Sequence, residues 1–488
     1  MKNSEQILKN TIERCREKNI ILPTYAQMVN PEKTPEKIKH ELKKLGLWDL
    51  NTLNLFRITW KNEPVEQGGG FGGVNHLELP PELTGVKARI IVLLGKFFPT
   101  GAHKVGATFG PLVEKLISGH FDPTTQKALW PSTGNYCRGG AYDSYLLGCE
   151  SMAVLPEEMS SERFDWLKKV GSEIFATPGC ESNVKEIYDK VKELKAERGD
   201  GIVVLNQFEE MGNSMWHYAV TGKAMEEVFR QLAGDNHKFS GLFLTQGSAG
   251  TLGSGDYLRE QFPLIKVCAG EALQCPTLLY NGYGGHRIEG IGDKHVPWIH
   301  NMKNMDLVAG IDDEVSIRLM QLFNEPAGRA YLSRQAIDPE LVNKLDLLGI
   351  SSIANIIGCI KMAKYYEWDE NHLVFTVATD SMEMYQSRLA EEREQRGEYT
   401  EMNAAVDMEG RLLGIDTEGL LELSYRDKKR MHNLKYFTWV EQQGKTVQEL
   451  DAQWYDENYW TGHYNKVAEW DEKIRAFNEE TGLLKQYQ

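Results

Sequence analysis

The chain has 488 residues, 41% of them hydrophobic and 26% charged, and no apolar run long enough to span a bilayer, so it reads as a globular protein with capacity for two or three domains. Its net charge of −15 argues against nucleic acid and anionic membrane as partners, because phosphate groups select basic surfaces.

Residues 1–86 are charged, helical in part and then loop-like. The run Gln67-Gly-Gly-Gly-Phe-Gly-Gly-Val74 marks flexible backbone; without a strand before it and a helix after it, it lacks the setting of a phosphate loop and reads as a linker or a loop over the site. From Lys87 to about Leu389 short apolar runs alternate with amphipathic segments. Strands are predicted at Lys87–Leu94, Lys127–Trp130, Ser151–Leu155, Ser172–Thr177, Gly201–Leu205, Gly241–Thr245, Leu264–Ala269 and Leu373–Ala378. Helical spacing recurs at Val184, Ile187, Tyr188, Val191 and Leu194, and again over Thr221–Leu232 and Ser351–Tyr366. The alternation implies parallel sheets covered by helices on both faces, arranged as two α/β lobes with a cleft between them. From about Ala390 to Gln488, dense charges are interleaved with aromatics such as Trp439, Trp454, Trp460 and Trp470. That segment is too aromatic for disorder and is expected to pack on the body or on a partner subunit.

Seven cysteines are scattered without a Cys-x-x-Cys pair or a His partner at zinc spacing, which fits reduced thiols and predicts no metal site. The first ten residues lack the apolar core of a signal peptide, so a cytoplasmic location is expected.

Lys104 lies in Leu94-Gly-Lys-Phe-Phe-Pro-Thr-Gly-Ala-His-Lys-Val-Gly-Ala-Thr-Phe-Gly-Pro111, at a strand-to-helix corner where α/β proteins bind ligands, and its Gly and Ala neighbours leave room for something bulky. A desolvated amine there becomes a carbonyl nucleophile. Alone it reads as an exposed loop lysine. Four further loops follow predicted strands and give it company. Pro131-Ser-Thr-Gly-Asn-Tyr-Cys-Arg-Gly-Gly140 suits an anion at a helix start, or else a simple N-cap and turn. Thr245-Gln-Gly-Ser-Ala-Gly-Thr-Leu-Gly-Ser-Gly255 can converge N–H groups on a phosphate, yet is neither a Walker sequence nor a dinucleotide fingerprint. Gln207 and Ser381 end strands and serve as polar termini or as ligand contacts.

In this order the motifs resemble the pyridoxal-phosphate-dependent enzymes of fold type II, the tryptophan synthase β-subunit-like superfamily, most closely the cysteine synthase and cystathionine β-synthase group. The motifs are Pro99-Thr-Gly-Ala-His-Lys104, Ser132-Thr-Gly-Asn135, Pro156-Glu-Glu-Met-Ser-Ser-Glu-Arg163, Gln207-Phe208 with Thr221-Gly222, Gly247-Ser-Ala-Gly-Thr-Leu252, His286-Arg-Ile-Glu-Gly-Ile-Gly292, Gly349-Ile-Ser-Ser352 and Ser381. The resemblance implies a two-lobed, three-layer αβα body over 87–389, with parallel and mixed sheets, a small lobe at about 108–222, and extensions at 1–86 and 390–488. It implies pyridoxal 5'-phosphate as cofactor and Lys104 as its Schiff-base residue and the base at Cα. Gly247, Ser248, Ala249, Gly250 and Thr251 would hold the phosphate, Asn135 the phenolic oxygen and Ser381 the ring nitrogen. Ser132, Thr133, Gly134, Asn135 and Gln207 would bind the substrate carboxylate.

The activity so implied is chemistry at the β-carbon of a small L-amino acid through an aminoacrylate, in a homodimer. Cysteine-synthase-like β-replacement is favoured over β-elimination of the cysteine desulfhydrase, diaminopropionate ammonia-lyase or serine/threonine dehydratase type. A catalytically silent binding or assembly protein on the same fold is the reading from another class. The chain departs from the family pattern at Val105-Gly106, where cysteine synthases have Asp-Arg. It departs again at Ser132, where tryptophan synthase β has a catalytic Glu, and at Tyr136-Cys137-Arg138, which would reshape the space beside the β-carbon. An insertion at about Asn324 to Leu348 is also absent from ordinary cysteine synthases.

Overall fold

The computed structural model describes residues 4–132 and 134–487. Eleven strands, β1 (His76–Leu79), β2 (Arg89–Leu94), β3 (Lys127–Pro131), β4 (Glu150–Pro156), β5 (Glu173–Thr177), β6 (Ile202–Val204), β7 (Lys238–Thr245), β8 (Lys266–Ala272), β9 (Leu307–Ile311), β10 (His372–Ala378) and β11 (Leu420–Glu422), form two sheets. The larger runs β1-β2-β10-β7-β8-β9-β11 and the smaller β5-β4-β3-β6. The smaller sheet is parallel throughout; in the larger, β1 and β11 pair antiparallel with β2 and β9 at the two edges. All eight predicted strands form.

Alternation along each strand shows why the sheets need helices on both sides. Ile90, Val92 and Leu94 of β2 join one apolar cluster together with the helix Ile350–Tyr365, whereas Ile91 and Leu93 join another that includes Phe375 and Val377. In the smaller sheet Leu129, Met152 and Val154 pack with Ile187 and Leu194 of the helix Val184–Arg198, while Ala128, Trp130 and Ala153 face the main core. A period-2 chain buried on both faces reads as a continuous apolar run, and that is how these strands read.

Three strands lie outside the predicted set. β1 has four residues, β11 has three within a charged segment, and β9 (Leu-Val-Ala-Gly-Ile) is diluted by small residues. They are fixed by their neighbours rather than by their own composition. β1 and β11 come from the two end segments, so both contribute to the larger sheet.

The carboxyl-terminal aromatics pack on the body: Trp439 and Tyr464 are buried, Trp439 Nε1 donates to the Val296 carbonyl at 2.8 Å, and Tyr464 donates to Asp256 at 2.7 Å. The buried Lys435 amine donates to the carbonyls of Trp298 and His300 and to Gln453 Oε1, at 2.9, 2.7 and 2.6 Å. The two ends also meet. Arg16, on the helix Ser4–Lys18, donates to the Thr481 and Glu480 carbonyls, and Asn478 exchanges hydrogen bonds with the Leu22 backbone. Asp471 accepts from the N–H groups of Tyr25 and Ala26 at the start of the helix Tyr25–Val29, where a carboxylate also meets the positive end of the helix dipole. The glycine run near Gln67 is pinned as well, since the carbonyls of Gly69 and Gly70 accept from the buried Arg57.

Candidate active site

Five loops leave the carboxyl ends of β2, β3, β6, β7 and β10, and their hydrogen bonds join them into two linked groups. Lys104 opens the helix Lys104–Ile117. Space beside Gly106 is filled by the Trp216 ring, which a side chain at that position would strike; the room read from the small residues around Lys104 is therefore used for packing at this one, and Gly139 likewise lets the helix Asn135–Leu146 approach the Lys104 backbone closely. Burial lowers the Lys104 amine to about 8, against the opposing pull of the Asp293 and Glu181 carboxylates. A depressed amine is a better nucleophile near neutral pH.

The amine donates to Ser248 Oγ at 3.2 Å. Ser248 Oγ also accepts from Asn213 Nδ2 at 3.0 Å, and the same Asn213 group donates to the Gln207 carbonyl at 3.0 Å. Lys104, the β7 loop and the β6 loop thus meet at one hydroxyl. Ala249 adopts a left-handed φ of 63°, which turns the backbone sharply after Ser248. Among the described residues, the N–H groups of Gly247, Ser248 and Ala249 donate to no protein acceptor. A side chain at Gly250 would strike Asn213, and one at Gly247 would strike the Gly290 carbonyl. Adjacent uncommitted donors on tightly packed glycines form an anion cradle.

His103 is buried between Trp60 and His217, with ring centroids at 5.6 and 5.0 Å. Burial, with the neighbouring Lys104 charge, holds it far below its ordinary range, so it is neutral. Its backbone N–H and ring Nε2 both meet Thr379, at 3.3 and 3.2 Å, tying the Lys104 segment to the end of β10.

The second group surrounds Asp380. Its Oδ2 accepts from Asn135 Nδ2 at 2.6 Å and from the Tyr385 hydroxyl at 2.7 Å, with Arg163 Nη2 at 3.9 Å. Arg138 donates to Asn135 Oδ1 and to the Thr100 carbonyl, both at 2.9 Å, and Arg163 pairs with the buried Glu289. Asn135 is therefore committed to Asp380 and Arg138. Ser132 Oγ accepts from the Gly134 N–H at 3.0 Å, and the adjacent Thr133 lies outside the described residues. Ser381 is buried directly after Asp380, and Gln207 and Thr251 are buried as well. Tyr136 packs edge-on against Trp130, at 5.4 Å between centroids.

Sequence reasoning missed Asn213, Thr379, Asp380 and Asp293. Thr379 and Asp380 were adjacent to Ser381 in a loop already singled out, and Asn213 follows Gln207 by six positions; Asp293 directly follows the motif ending at Gly292.

A protein-family model for pyridoxal-phosphate dependent enzymes matches residues 71–330. Among curated proteins, cystathionine β-synthase from Saccharomyces cerevisiae is 27% identical over 323 residues, 64% of this chain and 60% of that protein; the match spans less than two thirds of the yeast enzyme. Cysteine synthase from Staphylococcus aureus is 31% identical over 259 residues, 53% of this chain and 74% of that one. Among solved structures, a hydrogen sulfide-producing enzyme from Fusobacterium nucleatum superposes with a TM-score of 0.56 at 23% identity, covering 72% of this chain and 96% of that one.

Proposed function

The chain belongs to the family of pyridoxal-phosphate dependent enzymes, and from that premise we propose that it exchanges the substituent on the β-carbon of a small L-amino acid for an incoming nucleophile, as a cysteine synthase does. The residues present fit the cofactor: a lowered amine at Lys104 sits 3.2 Å from Ser248, within a glycine loop whose N–H groups at 247, 248 and 249 are uncommitted. That juxtaposition is the observation on which the proposal rests.

Once bound through an amine, pyridoxal phosphate supplies an electron sink that lets bonds at Cα and Cβ of an amino acid break heterolytically. Lys104 would bind the cofactor through its lowered amine and, when that amine is free, would be the base for the substrate Cα proton. Ser248 and Asn213 hold the lysine amine in line. Gly247 to Thr251 would hold the phosphate and Ser132 to Asn135 with Gln207 would orient the substrate carboxylate, while the second hydrogen of Asn135 Nδ2, beyond the one given to Asp380, would serve the ring hydroxyl. The buried Ser381 would offer the ring nitrogen a neutral hydroxyl and would not force a proton onto it, which would restrain the sink and favour loss of a β-substituent over transamination. The neutral His103, fixed by Thr379, keeps a second cation away from Lys104. Among the described residues no helix is long and apolar enough to cross a membrane; we read the chain as a cytoplasmic homodimer, which fractionation and sizing chromatography check.

The test is a screen of O-acetyl-L-serine, L-cysteine, L-serine and L-2,3-diaminopropionate with and without sulfide or thiol nucleophiles, scoring sulfide, ammonia, keto acid and new amino acid. Nucleophile-dependent formation of a new amino acid supports replacement. Keto acid and ammonia without a nucleophile would move the assignment to β-elimination, and no turnover of any kind to a silent protein.

A further inference from the structure

Arg138 belongs to the segment Tyr136-Cys137-Arg138 in which the chain departs from its family's pattern, and the chemistry derived above gives it no task. It sits one turn after Asn135 on the helix Asn135–Leu146, with its side chain fully buried. Burial and the neighbouring Arg163 lower it to about 10, so it stays a cation near neutral pH. The carboxylates around it are engaged by Arg163, which pairs with Glu289 and stands 3.9 Å from Asp380. Arg138 instead donates to two amide oxygens, Asn135 Oδ1 through Nη1 and the Thr100 carbonyl through Nη2, both at 2.9 Å. A buried guanidinium that spends its bonds on neutral acceptors is costly, and packing alone is served better by an apolar side chain.

The surroundings fix the direction of the guanidinium. Its carbon lies 5.6 Å from the Trp48 ring and 5.8 Å from the Trp166 ring, within reach of cation–π attraction. The carbonyl that accepts from Nη2 belongs to a turn with little freedom: Thr100, a β-branched residue, holds a left-handed φ of 62° and Gly101 follows at 66°. A side chain at Gly101 would strike Trp48. The segment that leads to Lys104 therefore anchors one arm of Arg138, and the other arm is left aimed at Asn135.

The consequence falls on the Asn135 amide. A guanidinium only donates, so the amide atom facing Nη1 is the oxygen; a carboxylate oxygen accepts, so the atom 2.6 Å from Asp380 Oδ2 is the nitrogen. One orientation of the amide satisfies both. It spends one Nδ2 hydrogen on Asp380 and leaves the second for a ligand, and a cation on the amide oxygen strengthens the N–H groups as donors. Resting on the cofactor contacts proposed above, we infer that Arg138 is a positioning residue of this site, acting through Asn135 to fix its amide so that the remaining Nδ2 hydrogen donates to the ring hydroxyl oxygen of bound pyridoxal phosphate. A firm donor there favours the ionised form of that hydroxyl, on which the visible band of the lysine-bound cofactor depends.

A double-mutant cycle on the full-length chain tests this without turnover. Cofactor-free wild type, Arg138→Met, Asn135→Ala and the double variant are titrated with pyridoxal phosphate, reading the dissociation constant and the ratio of the visible to the near-ultraviolet band at one pH, beside a thermal melt of each. Met keeps the packing between the two tryptophans and removes the charge and both donors. Arg138→Met is expected to weaken binding by about tenfold or more and to lower the band ratio by about threefold. In the Asn135→Ala background the same change is expected to alter either quantity by less than about twofold. Equal fold-changes in the two backgrounds, or none in either, would overturn the inference, because a merely structural Arg138 has no reason to depend on the Asn135 side chain. If the Met variant is unfolded at the assay temperature, the cycle is run with Arg138→Lys, which keeps the charge but not the fork; a smaller loss of about threefold is expected, with the same dependence on Asn135 and the same overturning result. A wild type that forms the visible band but turns over no amino acid would count against the proposed function, and the cycle still decides the role of Arg138.

Discussion

The Lys104 amine and the Ser248 hydroxyl lie 3.2 Å apart, and the same hydroxyl accepts from Asn213 at 3.0 Å. A lysine that opens the helix after one strand is thereby positioned by the loop of another and the helix that follows a third. Replacing Lys104 by Ala is expected to abolish the visible band on addition of pyridoxal phosphate and to lower turnover by about 10³-fold or more, a loss of over about 4 kcal/mol in transition-state stabilisation. Absorbance titration and steady-state assays of the variant check both.

Gly250 packs its α-carbon against Asn213 with no room for a methyl group. Gly250→Ala displaces Asn213, and with it the Ser248 hydroxyl, so cofactor affinity is expected to fall about 10- to 100-fold, roughly 1.4–2.8 kcal/mol, with overall folding retained. The dissociation constant of pyridoxal phosphate, measured beside a circular dichroism melt, separates the local effect from a global one.

Asp380 is the acceptor shared by Asn135 and Tyr385 and stands beside Arg163. Asp380→Ala leaves buried donors and a buried cation short of their acceptor, and is expected to destabilise the chain by about 3–5 kcal/mol. Urea unfolding gives the value, and a loss below about 1 kcal/mol would mean that the network relaxes without it.

His295 is buried with its Nε2 against the Tyr188 hydroxyl at 3.2 Å, and burial lowers it from 6.5 to about 3. Between those two pH values the unfolded chain binds a proton that the folded chain refuses. Stability from this group is therefore complete above pH 6.5 and is lost as pH falls toward 3, at up to about 1.4 kcal/mol per pH unit. His295→Gln is expected to flatten that part of the acid limb by the same slope, as read from urea midpoints across the range.

Lys435 holds three buried oxygens, including the His300 carbonyl, and His300 Nδ1 meets Gln246 Oε1 at 2.5 Å at the head of the glycine loop. Lys435→Met strands those acceptors, and about 1–3 kcal/mol of stability should go with them. Because the chain of contacts ends at the cradle, cofactor affinity is expected to weaken by about three- to tenfold, or roughly 0.6–1.4 kcal/mol; unchanged binding with lowered stability would confine Lys435 to a structural role.

The alternating body was legible because β2, β7 and β10 are buried on both faces and carry long apolar runs. Lys104 was legible through the company of four loops, since its own flanks resemble any strand-to-helix turn. Two kinds of feature were not. β1, β9 and β11 are short or dilute, and pairing with a neighbour decides them. Gly106 shows the other kind: a glycine beside a reactive lysine suggests an open space, and only the tertiary fold reveals that Trp216 occupies it. Asp293 is hidden for the same reason, because nothing in a single Asp after a glycine distinguishes a solvated loop residue from a carboxyl sealed in the interior.

The fastening of Arg16 to Thr481 and of Leu22 to Asn478 has a consequence for biosynthesis. A ribosome makes the first helix long before one of its partners, the helix Val467–Thr481, so residues 4–18 can settle against the body, where Asn10 donates to Asp122 at 2.9 Å, but the face that meets the last helix must wait until nearly the whole chain has emerged. Strand β2 likewise waits for β10, which separates it from β7 in the finished sheet. Completion of the fold is thus weighted toward the end of translation, and a chain stalled before about residue 467 would leave the carboxyl-terminal side of the first helix uncovered, a natural handle for chaperones.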